Sequence, residues 1–155
     1  MSDKTPKPFT PFQEKVGRTM IRPFSKANAW VYRLSGGRVG GRWLRGAPVL
    51  LLTTIGRKSG QTRTVPLIYL RDGEDVVIVA SQGGMSRHPL WYRNLEVHPD
   101  VEVEIGRDKT KMVARCAMDQ EKSALWPKLV EMYRDYDDYQ ARTERNIPVV
   151  VLSPR

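Results

Sequence analysis

VLLLTTIGRKSGQTRTVPLIY, residues 49–69, is the stretch from which the rest of the chain is read. An apolar run, Val49–Thr54, gives way to a polar stretch holding Gly56 and Gly60, and a second run, Arg63–Leu70, follows. In that second run Arg63, Val65, Leu67 and Tyr69 alternate with Thr64, Pro66, Ile68 and Leu70. Successive side chains of a strand point to opposite faces, so this alternation about a tight turn predicts a β-hairpin. Pro66 has no N–H to give to a ladder, which predicts an edge or a bulge there, where a flat ligand can lie against backbone. At the tip stand Arg57, Lys58, Ser59, Gln61, Thr62, Arg63 and Thr64. Guanidinium, ammonium, hydroxyl and backbone donors converging on one bend suit a phosphate or carboxylate. Hairpin tips are polar in any protein, however, and solvation explains three cations equally well.

Outward from this hairpin, Asp72-Gly73 marks a second turn, and Val76–Ser81 is a continuous apolar strand of central type. Gln82-Gly83-Gly84 is a loop at its end. Pro89–Val97 (PLWYRNLEV) reads as a short helix with proline in its first turn and Pro99 beyond its end. Val101, Val103 and Ile105 alternate with Glu102 and Glu104, and Thr110–Cys116 makes another strand. Asp119 caps a helix running to about Met132 and interrupted at Pro127, and Ile147–Leu152 closes the series. Six strands in short antiparallel connections, with helices outside them, predict an α+β, mainly β fold: a six-stranded antiparallel β-barrel.

Upstream, Met1–Pro11 is proline-rich and expected to be disordered. Phe12, Val16, Met20, Phe24, Ala27, Val31 and Leu34 recur at helical spacing, with Lys15, Arg18, Arg22 and Lys26 between them. This predicts an amphipathic helix that Pro23 kinks or divides. The organisation is therefore residues 1–34 as basic tail and helix, and residues 35–155 as the barrel domain. The plain expectation for the helix is packing on the barrel with a solvated basic face. The sharper one is a peripheral anchor on an anionic lipid surface.

The 155 residues suffice for one compact domain. The net charge of +9 is uneven: residues 1–46 carry ten Lys/Arg against two acids, and the remainder is almost neutral. A nucleic-acid binder would spread cations over a folded face among aromatics, so no nucleic-acid partner is expected. A lone cysteine, Cys116, and the absence of an apolar leader fit the cytoplasm, with the basic helix facing the inner membrane surface as the finer expectation. The oligomeric state is left open between monomer and homodimer.

The hydrolytic motifs are missing, and so is any GxGxxG fingerprint. His88 and His98 each precede a proline and have no partner at ligand spacing, so no metal site is expected. Redox chemistry would need a bound cofactor, because ordinary side chains deliver no hydride. Tyr133, Tyr136 and Tyr139 recur every three residues. Such stripes are commonly core, but Asp135, Asp137 and Asp138 among them favour a pocket wall offering aromatic area and hydroxyl donors.

TTIGRKSGQTRTVPL, followed by ASQGG, PLWYRNL and the tyrosine triplet, resembles the deazaflavin-dependent nitroreductase family, over about Trp30 to Pro154. The resemblance implies a split β-barrel of FMN-binding type that uses reduced coenzyme F420. It implies that Arg57, Lys58, Ser59 and Arg63 hold the coenzyme's phosphate and acidic tail. Pro66, Ile68 and the strand end Val79-Ala80-Ser81 would lie near its ring. Gln82, Gly83, Gly84, Pro89, Trp91, Tyr92 and Asn94 would frame the groove. Ile68, Tyr133, Tyr136 and Tyr139 would line the substrate pocket, with Tyr133, Tyr139 and Ser81 as catalytic donors. The activity implied is hydride transfer to an activated alkene, quinone or nitroaromatic acceptor. Two departures stand out. Ile68 stands where the family can carry an aromatic, which alters the pocket and speaks against nitroimidazole reduction. Gln82 follows Ser81 where a lysine can occur, which weakens one anion contact while the main cationic cluster remains. The alternatives are an FMN-dependent reductase on the same barrel and a non-catalytic carrier of deazaflavin or lipophile.

Overall fold

The quoted stretch forms the hairpin it predicts, with β1 (Val49–Ile55) paired antiparallel to β2 (Thr62–Asp72). The computed structural model describes residues 6–38, 41 and 46–155; in the first helix the side chains of residues 17–26 and 28 fall outside the description. Gly40 and the residues before Pro6 likewise lie outside it. The remaining strands are β3 (Asp75–Val79), β4 (Asp100–Ile105), β5 (Asp108–Cys116) and β6 (Val149–Pro154), and they close a barrel in the order β1-β2-β3-β6-β5-β4.

Register divides the side chains into two sets. Leu50, Leu52, Ile78, Val103, Met112, Ala114, Val150 and Leu152 form one buried core cluster, joined by Trp91, Tyr92 and Leu95 of α2 (Leu90–Val97). The alternate residues Val77, Val79, Val149 and Val151 pack with Leu125 and Leu129 of α3 (Asp119–Met132) and Tyr136 of α4 (Asp135–Arg142). Both faces of the β3–β6 region are thus covered, which accounts for its unbroken apolar runs. Each such side chain contributes about 1.5–3 kcal/mol when fully buried.

Helix α1 spans Pro11–Ser35, opened by a capping box between Thr10 and Gln13 and ended by Gly36 at φ 64°. Pro23 does not divide it. One proline removes a single backbone bond, and a 25-residue helix docked near both ends tolerates that loss. The docking face differs from the one expected. Glu14, Ala29 and Tyr32 are buried, whereas Phe12 is 76% exposed, Trp30 66% and Leu34 64%. The reason is hydrogen bonding: the Tyr32 hydroxyl accepts from Gly106 N–H at 2.8 Å and donates toward Val49 O at 3.2 Å. Arg33 grips Glu104 with Nη2–Oε2 at 2.8 Å, so Glu104 is buried although its strand alternation points it outward.

Two further expectations are corrected. Pro127 sits inside a continuous α3. Asp119 is the first residue of that helix, with Met118 in the capping position. Pro66, by contrast, lies where β2 pairs only with β1, opposite Leu51, because pairing with β3 covers Tyr69–Asp72 alone. Its missing N–H therefore leaves no ladder bond unmade on that side.

Candidate functional site

The bend between β1 and β2 is closed by Gly56 N–H donating to Gln61 O at 2.7 Å and Gly60 N–H donating to Gly56 O at 2.8 Å. Gly60 has φ 69°, a conformation that glycine adopts without steric penalty. Ser59 builds the bend as well, since its hydroxyl accepts from Gln61 N–H at 3.2 Å. From below, Asn94 of α2 pins it: Oδ1 accepts from Arg57 N–H at 3.1 Å while Nδ2 donates to Thr54 Oγ1 at 3.1 Å. Thr54 and Asn94 are buried, so this brace is fixed from the barrel side. Among the described residues no carboxylate forms an ion pair with Arg57, Lys58 or Arg63. Three cations on a braced backbone, unneutralised from within, are suited to a multiply charged anion.

Beyond the Tyr69–Ile78 pair, β2 and the chain following β3 part, because no pairing joins Thr62–Ile68 to Val79–Gly84. This opens the barrel wall on the side where Pro66 lies. Thr64 and Pro66 share the outer face with Leu51, which α1 covers, and Ile68 shares the outer face packed by α3 and α4. The unpaired edge of β2 therefore runs between two helical covers, with the cationic bend at one end.

The opposite lip is the segment Ala80–Met85. Val79 belongs to the outer core, and Ala80 points into the barrel with Trp91 and Tyr92. The Ser81 carbonyl accepts from Arg145 Nη2 at 2.7 Å, which ends β3 earlier than the apolar run suggests. Gln82 (φ 43°), Gly83 (φ 64°) and Gly84 (φ 82°) are three consecutive left-handed residues. A side chain at Gly84 would meet Tyr139 O at 2.6 Å, so α4 lies directly on this turn. Gln82 Oε1 is buried without a hydrogen-bond donor, an acceptor left for a ligand to satisfy. Pro89, Trp91, Tyr92 and Asn94 are all buried. Asn94 hydrogen-bonds to the bend, and Trp91 and Tyr92 belong to the core cluster inside the barrel.

The tyrosines form one cluster, with ring centroids 5.1 Å apart for Tyr133–Tyr136 and 6.2 Å for Tyr133–Tyr139. Tyr133 and Tyr136 are buried and Tyr139 is partly open. The Tyr133 and Tyr139 hydroxyls lie 3.2 Å apart. Burial pushes the phenols of Tyr136 and Tyr139 well above the ordinary value of 10, and for Tyr139 the hydrogen bond to Tyr133 adds to the effect. Tyr139 is thus a neutral donor throughout the physiological range. Asp137 accepts from Trp126 Nε1 at 2.8 Å, which gives one of the acids a structural role.

Arg142, Arg145, Thr54 and Glu14 were not singled out by the sequence. Nothing periodic marks them, and each acts on a partner dozens of residues away. A separate hollow of about 370 Å³ lies between α2 and β5, lined by Tyr92, Leu95, Glu96, Ala114, Arg115 and Cys116. It holds none of Arg57, Lys58, Arg63 or the tyrosine cluster. No group of metal-ligating side chains occurs among the described residues.

Comparison with known proteins adds an independent line. Residues 24–154 match the family model described as F420H(2)-dependent quinone reductase. An F420H(2)-dependent quinone reductase of Mycobacterium tuberculosis is 44% identical over 128 residues, covering 81% of this chain and 86% of that protein. The solved structure of an F420-H2-dependent reductase, FDR-A, superposes with a TM-score of 0.64 at 38% identity, over 68% of this chain and 94% of the other. Another solved structure, described as a domain-swapped dimer, gives a TM-score of 0.66 at 34% identity, over 84% and 99%.

Proposed function

The chain belongs to the F420H(2)-dependent quinone reductase family, and on that premise we propose that it reduces a quinone-type acceptor with hydride from reduced coenzyme F420. The observation that carries this reading is the braced bend, where Arg57, Lys58 and Arg63 have no ion-pair partner among the described residues and stand beside the unpaired edge of β2. The residues fit the group: the cations suit a phosphate with an acidic tail, and a flat ring fits the edge at Pro66 and Ile68. When bound, the coenzyme supplies a hydride to the acceptor.

The chain's own residues hold and orient. Arg57, Lys58 and Arg63 grip the anionic end, while Ser59 and Asn94 keep their backbone in place. Ile68 and the strand end Val79-Ala80-Ser81 border the ring, and Ser81 lends a second hydroxyl donor. Gln82, Gly83 and Gly84 form the far lip, with Pro89, Trp91 and Tyr92 packed beneath. Tyr139 donates a hydrogen bond to the acceptor's oxygen, and Tyr133 backs it through the 3.2 Å hydroxyl contact, stabilising charge as it develops there. Tyr136 sets the ring positions of both. The same polarisation serves an activated alkene, and nitroaromatics are the remaining acceptor class.

The exposed side of α1 supports a membrane-facing approach for a lipophilic acceptor. Phe12, Val16, Trp30 and Leu34 fall on one stripe opposite the buried Glu14 and Tyr32, within the segment that carries most of the positive charge. No described helix is long and apolar enough to cross a bilayer, so contact would be peripheral. Residues 1–34 are in this reading the docking element and residues 35–155 the catalytic barrel, acting as monomer or dimer. Anionic liposome co-sedimentation checks it, with no binding, or binding undiminished by removing residues 1–28, counting against it.

Parallel titrations with oxidised F420, FMN and NADPH test the main proposal. Selective F420 binding, followed by turnover of quinones with the reduced coenzyme, supports it. Equal or better FMN binding, or binding without turnover, would overturn it.

A further inference from the structure

Arg145 lies just beyond α4 and makes an unusual set of contacts. Its guanidinium donates to three carbonyls of one segment: Ala80 O at 3.1 Å, Ser81 O at 2.7 Å and Met85 O at 2.7 Å. Its fourth contact is Nη1 to His88 Nδ1 at 3.0 Å. Arg142 adds Nη1 to Gly83 O at 2.9 Å. On the other side, Glu14 of α1 accepts from Ser86 N–H and Ser86 Oγ, both at 2.7 Å. The segment 80–88, whose backbone runs through three left-handed residues, is held by side chains from both ends of the chain.

A guanidinium carries only donors and keeps its proton. The His88 contact therefore requires an unprotonated Nδ1, and the neutral ring must carry its hydrogen on Nε2. Burial and the Arg145 charge both lower the affinity of His88 for a second proton. Arg93 works in the same direction and Glu96 against it, while Tyr92 packs on the ring with centroids 4.9 Å apart. His88 sits between the Gly83–Gly84 turn and Pro89–Asn94, the two segments that frame the coenzyme groove.

We infer that Arg145 is a positioning residue for coenzyme binding, fixing the Ala80–Met85 lip and holding His88 as its neutral Nε2–H tautomer. The inference rests on the proposed function for its ligand, but its geometry is independent of it. Planar donors at fixed angles reach four acceptors at once, which an ammonium on a flexible stem cannot do. Arg145 touches neither acceptor nor hydride and acts only through the segment it ties down.

The test pairs Arg145→Lys with Arg145→Gln, each checked for folding by circular dichroism and melting. Nitrogen-15 spectra of the imidazoles should show wild-type His88 as one neutral Nε2–H tautomer across the neutral range. In folded Arg145→Lys the tautomers should mix, affinity for oxidised F420 should fall about tenfold, and kcat should fall less than affinity. Should Arg145→Gln not fold, the lysine variant alone carries the comparison. A wild-type ring with its hydrogen on Nδ1, or lysine-variant affinity within about twofold of wild type, would overturn the inference. If wild type showed the expected tautomer yet bound no F420, the proposed function and the coenzyme role of Arg145 would fall, leaving only its hold on the ring.

Discussion

Asn94 offers the sharpest separation between building the anion site and charging it. Replacing it with alanine removes the acceptor for Arg57 N–H and the donor to Thr54 Oγ1, two contacts of 3.1 Å. Each orphaned group costs about 1–3 kcal/mol when buried, so Asn94→Ala should lose roughly 2–6 kcal/mol of stability. Asn94→Asp keeps the acceptor for Arg57, and Thr54 can turn its hydroxyl to donate to the second carboxylate oxygen. Its loss of stability at neutral pH should be smaller than that of alanine. The new charge, however, would stand beside the Arg57 backbone and repel an anion gripped by the bend, which at an effective dielectric of about 20 and a separation of several ångströms costs on the order of 2 kcal/mol per unit charge. Affinity for F420 should therefore fall about thirtyfold, more than in Asn94→Ala, and the gap should narrow in high salt. Urea unfolding and coenzyme fluorescence titration measure the two quantities. If folded Asn94→Asp bound F420 like wild type, the anion would not sit at this bend.

Three further outcomes follow from the same geometry. Arg57→Ala should weaken F420 binding by about 1.5–3 kcal/mol without changing the melting temperature appreciably, as seen by titration and calorimetry. Tyr139→Phe should lower kcat by roughly two orders of magnitude in steady-state quinone reduction, leaving F420 affinity within about twofold. Because burial raises the Tyr136 and Tyr139 pKa values above the 10 of the unfolded chain, the stability they contribute is whole below 10 and is lost as pH rises through the folded values; for His88, lowered from 6.5, it is whole above 6.5 and lost as pH falls. Urea midpoints across pH should decline at both extremes, and replacing Tyr139 by Phe should blunt the alkaline decline.

What the sequence determined by itself is everything that neighbouring residues decide together. Alternation in Val49–Tyr69 and the apolar run after Asp75 define strands, because side-chain period follows from local backbone geometry. The same holds for α2, and for α1 despite Pro23. The cationic bend was legible too, since its glycines and cations are consecutive. Tertiary structure alone decided which face of α1 docks, because that depends on Tyr32 meeting the ends of β1 and β4. It alone buried Glu104 under Arg33, 71 residues earlier in the chain, and assembled the grip of Arg145 on a segment about 60 residues before it. Such contacts exist only once the barrel closes, and no periodicity in the chain encodes a meeting between residues that distant.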